Sequence, residues 1–239
     1  MRKFSVFLLA LPLILFTSGM AGALTLQAVD GDWDNVVGGS NINYDDGVPI
    51  AYGNGLEDQV YWGVGIPNEE IQSGLGFTGV VGLSDPSITI NPGDVFEVGQ
   101  LQHFNNVITL PSAASAVELT IDLDFALGMG SFTFDFLIDE TPNAPGPPDS
   151  DDIITFPASI PDETINLGGT LYTLELLGFG PTSDSFVDSF VSPEGGTNNT
   201  LLWAQITEAP AVPEPATLLL VGTGLLGIAG IGRDRKSVV

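Results

Sequence analysis

Residues 117–138, VELTIDLDFALGMGSFTFDFLI, give the clearest indication of the fold. Apolar residues occupy alternate positions, first at odd numbers up to Phe125 and then at even numbers from Phe132. Because successive side chains of a β-strand point to opposite faces, this pattern predicts two strands that each bury one face. Glycines between the two runs predict a hairpin turn over Leu127–Gly130.

Similar short runs recur through the rest of the chain, separated by turn residues, and no amphipathic helix pattern stands out. The predicted further strands are Leu24–Val29, Gln59–Trp62, Gly74–Val80, Val95–Phe104, Ile153–Phe156, Leu171–Leu177 and Thr200–Thr207. The expected fold class is all-β, as an antiparallel, jelly-roll-like β-sandwich over residues 24–210. The Pro- and Asp-rich segment Thr141–Asp152 is expected to be a long hairpin loop within this single domain.

Charge is distributed unevenly along the chain, which has 30 acidic and five basic residues. The basic residues are Arg2, Lys3, Arg233, Arg235 and Lys236. Two of the acids lie in the C-terminal tail, so the central body carries the other 28 with no lysine or arginine. Such a body repels phosphate backbones, which argues against nucleic-acid binding. The absence of cysteine excludes disulfides and thiolate metal sites.

The N-terminus has the three parts of a secretory signal peptide. Two basic residues follow Met1, an apolar run spans Phe7–Phe16, and Ala21 and Ala23 form an A-x-A cleavage site. Residues 1–23 are therefore expected to form a signal-peptide helix that the Sec machinery exports and signal peptidase removes. A buried N-terminal helix is the alternative interpretation.

The C-terminus combines a Pro-Glu-Pro motif, an apolar segment and a basic end. Pro213, Glu214 and Pro215 precede residues 216–232, a stretch of 17 residues without charge. As a helix it would reach about 26 Å, at the short end for a bilayer span. The basic residues behind this predicted transmembrane helix should stay cytoplasmic.

Taken together, residues 212–236 resemble the PEP-CTERM sorting signal of Gram-negative bacteria. The resemblance implies that an exosortase recognises the Pro-Glu-Pro motif and removes the tail. The helix would then anchor the protein transiently in the inner membrane, before the protein reaches the cell surface or the extracellular space.

A second resemblance covers about Gly31–Thr207. Its segments are Gly31–Gly39, Gly53–Gly55, Val60–Gly63, Gln72–Phe77 and Phe96–Ile108. In this order they look like the choice-of-anchor K domain, a bacterial extracellular module, although Gln102 stands where threonine is expected. The resemblance implies an extracellular location and names no activity.

Two acid-rich segments are candidate Ca²⁺ loops, because Ca²⁺ prefers oxygen ligands. The carboxylates are those of Asp30, Asp32 and Asp34 and those of Asp149, Asp151 and Asp152. Neither segment has EF-hand spacing. Diffuse condensation of cations on a solvated surface is the alternative, and no cofactor other than Ca²⁺ is expected.

Aromatic residues could stack on a glycan, and Trp33 is the one expected to be exposed. Trp62 and Trp203 lie within predicted strands and are expected in the core. The only histidine, His103, is expected to be structural and hydrogen-bonded beside neighbouring asparagines, because no nucleophile elbow accompanies it.

Paired carboxylates could cleave glycosides. The candidates are Glu69, Glu70, Glu118, Asp122 and Asp124. In so acidic a body, however, pairs occur at any spacing, and solvated strand faces explain them more simply. We therefore expect a protein that is not an enzyme.

The sequence predicts an exported protein with a structural or adhesive role in an exopolysaccharide matrix or biofilm. A carbohydrate-binding module for exopolysaccharide is the alternative, and a glycoside hydrolase is the third. The expected partners are the Sec machinery, signal peptidase, an exosortase and exopolysaccharide.

Overall fold

The computed structural model describes residues 22–50, 52, 56–67, 70–81, 86–142, 150–157 and 162–210. These residues form two antiparallel β-sheets and one short 3₁₀ turn at Leu110–Ser112. Among them there is no helix with the length and apolar character needed to cross a membrane. The predicted signal-peptide and C-terminal helices lie outside the described residues.

The first sheet has six strands in the order β13-β9-β8-β7-β1-β5. Their bounds are β1 Leu24–Gly38, β5 Ile88–Ile90, β7 Ala114–Phe125, β8 Gly128–Asp139, β9 Asp152–Thr155 and β13 Ser189–Ser192.

The second sheet has eight strands, seven of them in the order β10-β11-β14-β6-β4-β3-β2, with β12 paired to β11. Their bounds are β2 Asn43–Pro49, β3 Leu56–Trp62, β4 Ser73–Gly79, β6 Val95–Asn105, β10 Glu163–Leu167, β11 Thr170–Thr182, β12 Ser185–Val187 and β14 Gly196–Glu208. The predicted two-sheet, all-β architecture is confirmed. It has more strands than the eight of a simple jelly roll.

The hairpin predicted within residues 117–138 is present as β7 and β8. The odd-numbered residues from Val117 to Phe125 in β7 and the even-numbered residues from Phe132 to Ile138 in β8 are buried, as predicted. The turn is tighter than expected, because Phe125 pairs with Gly128 and only Ala126 and Leu127 connect the strands. Gly128–Gly130 therefore belong to β8 rather than to the turn.

β1 extends far beyond the predicted strand Leu24–Val29, through the acid-rich segment to Gly38. A register shift between Leu26 and Ala28 marks a β-bulge. A bulge adds one residue to a strand and so changes which positions face the core. Buried positions accordingly change from even numbers before the bulge to odd numbers after it.

The core between the sheets is centred on Phe136 of β8, which is fully buried. Its ring centroid lies 5.1 Å from that of Phe134, 5.7 Å from Phe156 and 5.6 Å from Phe179. Phe179 belongs to β11, so this cluster joins the two sheets. Trp62 and Trp203 are also buried, which confirms that they are core residues.

We expect Phe136→Ala to lower the free energy of unfolding by about 3–5 kcal/mol, because it leaves a cavity among rings from both sheets. Leu137→Ala is the matched control. Leu137 is the next residue, faces outward and is 52% exposed, so its loss should change stability by about 0.5 kcal/mol or less. Urea denaturation measures both, and equal losses would contradict the assigned core.

Candidate functional site

At one end of the sandwich, the inward-facing rows of core side chains end on polar residues. On β6 the inward-facing positions after Leu101 are occupied by His103 and Asn105, and both are fully buried. On β8 the buried even-numbered row ends at Ile138, and Glu140 is the next even position. These polar residues therefore lie where apolar core would be expected from the strand period.

Two further acids complete this end of the sandwich. Asp152 begins β9, in phase with the buried Ile154, and is itself only 1% exposed. Glu194 lies in the short connection by which the chain passes from β13 in the first sheet to β14 in the second. We call His103, Glu140, Asp152 and Glu194 the end cluster.

His103 has no hydrogen-bond partner at either ring nitrogen, although both are buried. Its ring stacks on Trp62, with centroids 6.4 Å apart and an interplanar angle of 22°. The expectation of a hydrogen-bonded histidine was wrong. Asn105 donates instead to the backbone oxygen of Ser192, at 2.7 Å, and Asn106 donates to the backbone oxygen of Gln72, at 2.8 Å.

One nitrogen of His103 and one carboxylate oxygen each of Glu140 and Asp152 all lie within 4.8 Å of one another. Trp62 Nε1 donates to Glu140 Oε1 at 2.7 Å. The Thr141 backbone N–H donates to Asp152 Oδ1 at 2.8 Å. These bonds orient the two carboxylates.

Several acceptors in this region stay unpaired although they are buried. They are Asp152 Oδ2 and both carboxylate oxygens of Glu194. Buried polar atoms normally have partners, so each unpaired atom needs a physical reason.

Burial and mutual repulsion disfavour charge in this region. Burial lowers the pKa of His103 to about 3, so that its imidazole is neutral. Burial, and then repulsion from Asp152, raises the pKa of Glu194 to about 7. Burial is also the main cause that raises the pKa values of Glu140 and Asp152. A neutral imidazole beside carboxylates is a donor set that metal ions accept.

The structure does not form the predicted Ca²⁺ loop at Asp30, Asp32 and Asp34. All three are exposed on one face of β1. Residues two apart on a strand are about 6.6 Å apart and four apart about 13 Å. Ca²⁺ holds its oxygens at about 2.3–2.6 Å, so these three carboxylates cannot surround one ion.

The second predicted Ca²⁺ segment is described only in part, because Asp149 lies outside the described residues. Asp151 has a buried, unpaired Oδ1, and Asp152 belongs to the end cluster. The sequence thus predicted Asp152 as a metal ligand and His103 as a structural residue, whereas Glu140 and Glu194 were not predicted as site residues. The available signal was that the inward row of β6 continues to a histidine, His103, and the inward row of β8 to an acid, Glu140.

Trp33 is not the exposed glycan-stacking residue that was expected. It is 8% exposed, its ring centroid lies 6.2 Å from that of Phe136, and its Nε1 donates to the backbone oxygen of Asp58 at 2.7 Å. The β1 bulge explains the error, because it turns Trp33 inward.

Of the described carboxylates considered for glycoside cleavage, only Glu70 lines a pocket, which lies at the edge of the eight-stranded sheet. Glu118, Asp122 and Asp124 lie along the outward row of β7. Asp122 is opposite Asp30, and Glu118 is opposite Asp34 on one side and Asp135 on the other. Glu69 lies outside the described residues.

A separate shallow pocket of about 420 Å³ lies at the edge of the eight-stranded sheet. Its lining side chains are Asn43, Tyr44, Asp45, Tyr61, Glu70 and Gln72. The Tyr61 ring stacks on Phe104 at 5.3 Å, which leaves Tyr44 as the more exposed aromatic residue, at 44%.

Comparison with known families matches the PEP-CTERM protein-sorting motif to residues 211–236. No curated protein matches the chain. The motif implies an exported, cell-surface-directed protein that an exosortase processes, and it confirms the first of the two resemblances.

The raised pKa values of carboxyl groups away from the end cluster predict how stability depends on pH. Burial raises the pKa of Asp58 from 3.8 to about 6, and Asp30, Asp46 and Asp32 add repulsion. Burial raises the pKa of Glu57 as well. A raised carboxyl pKa means that the folded state binds more protons, so stability is greatest below the unfolded pKa and is lost as pH rises through the folded one.

With chelator present throughout, the thermal midpoint should therefore fall as pH rises from about 4 to about 6.5. Asp58→Asn should reduce this fall, whereas Asp188→Asn, which removes the same charge from an exposed position, should not. Thermal unfolding followed by circular dichroism measures the midpoints. A midpoint that rises across this interval would contradict the assignment.

Proposed function

We propose that this protein is a structural or adhesive component of an exopolysaccharide matrix or biofilm. The observation that carries the proposal is the sorting motif at residues 211–236, which follows a compact β-domain that ends at Glu208. In this role the exosortase removes the tail, and the β-sandwich is the part that remains at the cell surface or outside the cell.

The surface of the six-stranded sheet supports this role. Its outward rows bring carboxylates of β1, β7 and β8 opposite one another, as in the pairs Asp30–Asp122 and Glu118–Asp135. Such a surface repels other anions and stays hydrated. Contacts with acidic polysaccharide would then be bridged by cations. We propose no catalytic role. Glu118, Asp122 and Asp124 lie on this open face rather than in a concave site, and Glu70, which lines the shallow pocket, is joined there by none of these three carboxylates.

The proposed route to the surface uses the segments at the two ends. The Sec machinery would export the chain, signal peptidase would cleave after Ala23, and residues 216–232 would hold it in the inner membrane until the exosortase acts at Pro213–Pro215. The choice-of-anchor K assignment also remains a proposal. It is supported by three of its five segments, which lie on β3, β4 and β6 as neighbours in one sheet.

Carbohydrate binding is the second candidate function, and the pocket with Tyr44 and Tyr61 favours it. Sugars bind to proteins through aromatic faces combined with polar groups. The pocket offers both, since Asn43 and Gln72 lie beside the tyrosines and are joined by a hydrogen bond of 2.8 Å.

We expect replacement of Pro213, Glu214 and Pro215 by alanine to block removal of the tail, because the exosortase would lose its recognition motif. The longer, unprocessed chain should then stay with the membrane fraction, as seen by immunoblotting of fractionated cells. Pro210→Ala, just before the motif, is the control and should leave processing unchanged. Equal release of both variants would contradict exosortase sorting.

A glycan array separates the two candidate functions. If the role is structural, the exported chain should self-associate in analytical ultracentrifugation and bind no glycan on the array. Binding that Tyr44→Ala abolishes, and that the exposed-aromatic control Phe186→Ala retains, would replace this proposal with the carbohydrate-binding one.

A further inference from the structure

The end cluster carries an inference that goes beyond the proposed function. We propose that His103, Glu140, Asp152 and Glu194 bind one divalent transition-metal ion, with Zn²⁺ as the best match, between the two sheets. The ion links the sheets in a domain that has no disulfide.

The spacing of three of the four proposed ligands is close to that of a metal site. Ligand atoms of His103, Glu140 and Asp152 lie within 4.8 Å of one another. Zn²⁺ holds nitrogen and oxygen ligands at about 2.0–2.2 Å, which places tetrahedral ligand atoms about 3.3–3.6 Å apart. Side-chain movements of about 1 Å close this difference.

The unpaired imidazole of His103 also favours a metal ion. Its side chain is fully buried, both ring nitrogens lack a partner, and one of them faces the carboxylates. An unpaired buried imidazole costs free energy. Metal coordination through one nitrogen removes that cost, and the neutral form of the ring is the form that ligates.

The carboxylates are already oriented as ligands. Trp62 Nε1 and the Thr141 N–H each hold one oxygen, of Glu140 and Asp152 respectively. Asp152 Oδ2 stays unpaired, and so do both oxygens of Glu194. Hydrogen bonds of this kind behind the ligands are typical of metal sites.

Neither a shared proton nor Ca²⁺ fits the end cluster as well. A proton shared between Glu140 and Asp152 would relieve those two carboxylates, but it leaves His103 and Glu194 unpaired. Ca²⁺ is bound through oxygen ligands alone, whereas this cluster places the imidazole nitrogen of His103 among the ligand atoms. The donor set therefore fits Zn²⁺, or Mn²⁺ as the next choice, better than the Ca²⁺ expected from the sequence.

The ligands come from separate parts of the fold. His103 lies on β6 of the eight-stranded sheet, and Glu140 and Asp152 lie at the ends of β8 and β9 in the six-stranded one. Glu194 lies where the chain passes between the sheets. An ion bound by all four stabilises only the folded state, so it raises the unfolding midpoint.

The test uses the exported chain, purified without a histidine tag and stripped with chelator. Zn²⁺, Mn²⁺ and Ca²⁺ are added separately, and binding is measured by calorimetry and metal content. We expect one Zn²⁺ per chain and, at a hundredfold excess over Kd, a rise in thermal midpoint of about 5–10 °C.

Asp152→Asn should weaken Zn²⁺ binding at least about 10–100-fold. In chelator the thermal midpoint of this variant should equal or exceed that of the unchanged chain, because one buried charge is gone. Such a midpoint would show that the variant is folded and that its weaker binding does not result from unfolding. Asp122→Asn removes the same charge from the outward face of β7 and should leave binding unchanged.

A second measurement does not depend on any variant. His103 is the only histidine, so nitrogen-15 labelling of histidine gives NMR signals from this ring alone. Zn²⁺ should shift the signal of one ring nitrogen. Unchanged signals, a preference for Ca²⁺, or Zn²⁺ binding that Asp152→Asn retains would overturn the proposal.

Discussion

The structure depends on one electrostatic constraint: between the two ends of the chain, carboxylates have no lysine or arginine to pair with. Every acid must therefore reach water, accept hydrogen bonds from neutral groups, take up a proton or meet a metal ion. The alternation of the strands satisfies this for most of them, because outward rows carry the charge while inward rows build the core around Phe136. Like charges then meet across strands, as Asp30 does with Asp122, at some cost in stability.

A few acids do not follow this rule, and they show where the domain is specialised. Glu57 is fully buried and accepts a hydrogen bond from Gln59, so that a neutral amide supports it. The end cluster has only partial support: Trp62 and the Thr141 N–H each donate to one carboxylate oxygen, but His103 and both carboxylate oxygens of Glu194 lack partners. A buried polar group without a partner is costly unless something absent from the chain itself supplies the missing interaction. A divalent ion supplies that interaction and also the positive charge that the chain lacks between its two ends.

The strands that could be predicted are those whose apolar residues alternate without interruption, as in β7 and β8. The part of β1 beyond Val29 could not be predicted. A bulge changes which positions of the strand face the core, and its glycine and aspartate residues are typical of loops. β2 could not be predicted because none of its seven residues is buried. The end cluster was harder still. His103 and Glu140 each continue a predicted inward row, but only the pairing of distant strands brings them to Asp152. Local patterns do not encode such pairing.

The protein thus combines two parts. The first is a sorting signal that directs it to the cell surface, and the second is a β-sandwich without lysine or arginine whose two sheets are linked at one end by a metal ion. X-ray anomalous scattering at the zinc edge, from crystals of the protein grown with Zn²⁺, tests the second part most directly. We expect one peak between the sheets, within bonding distance of a His103 ring nitrogen and a carboxylate oxygen of Asp152. Peaks confined to the outward carboxylates of β1 and β7, or no peak at all, would contradict the proposed site.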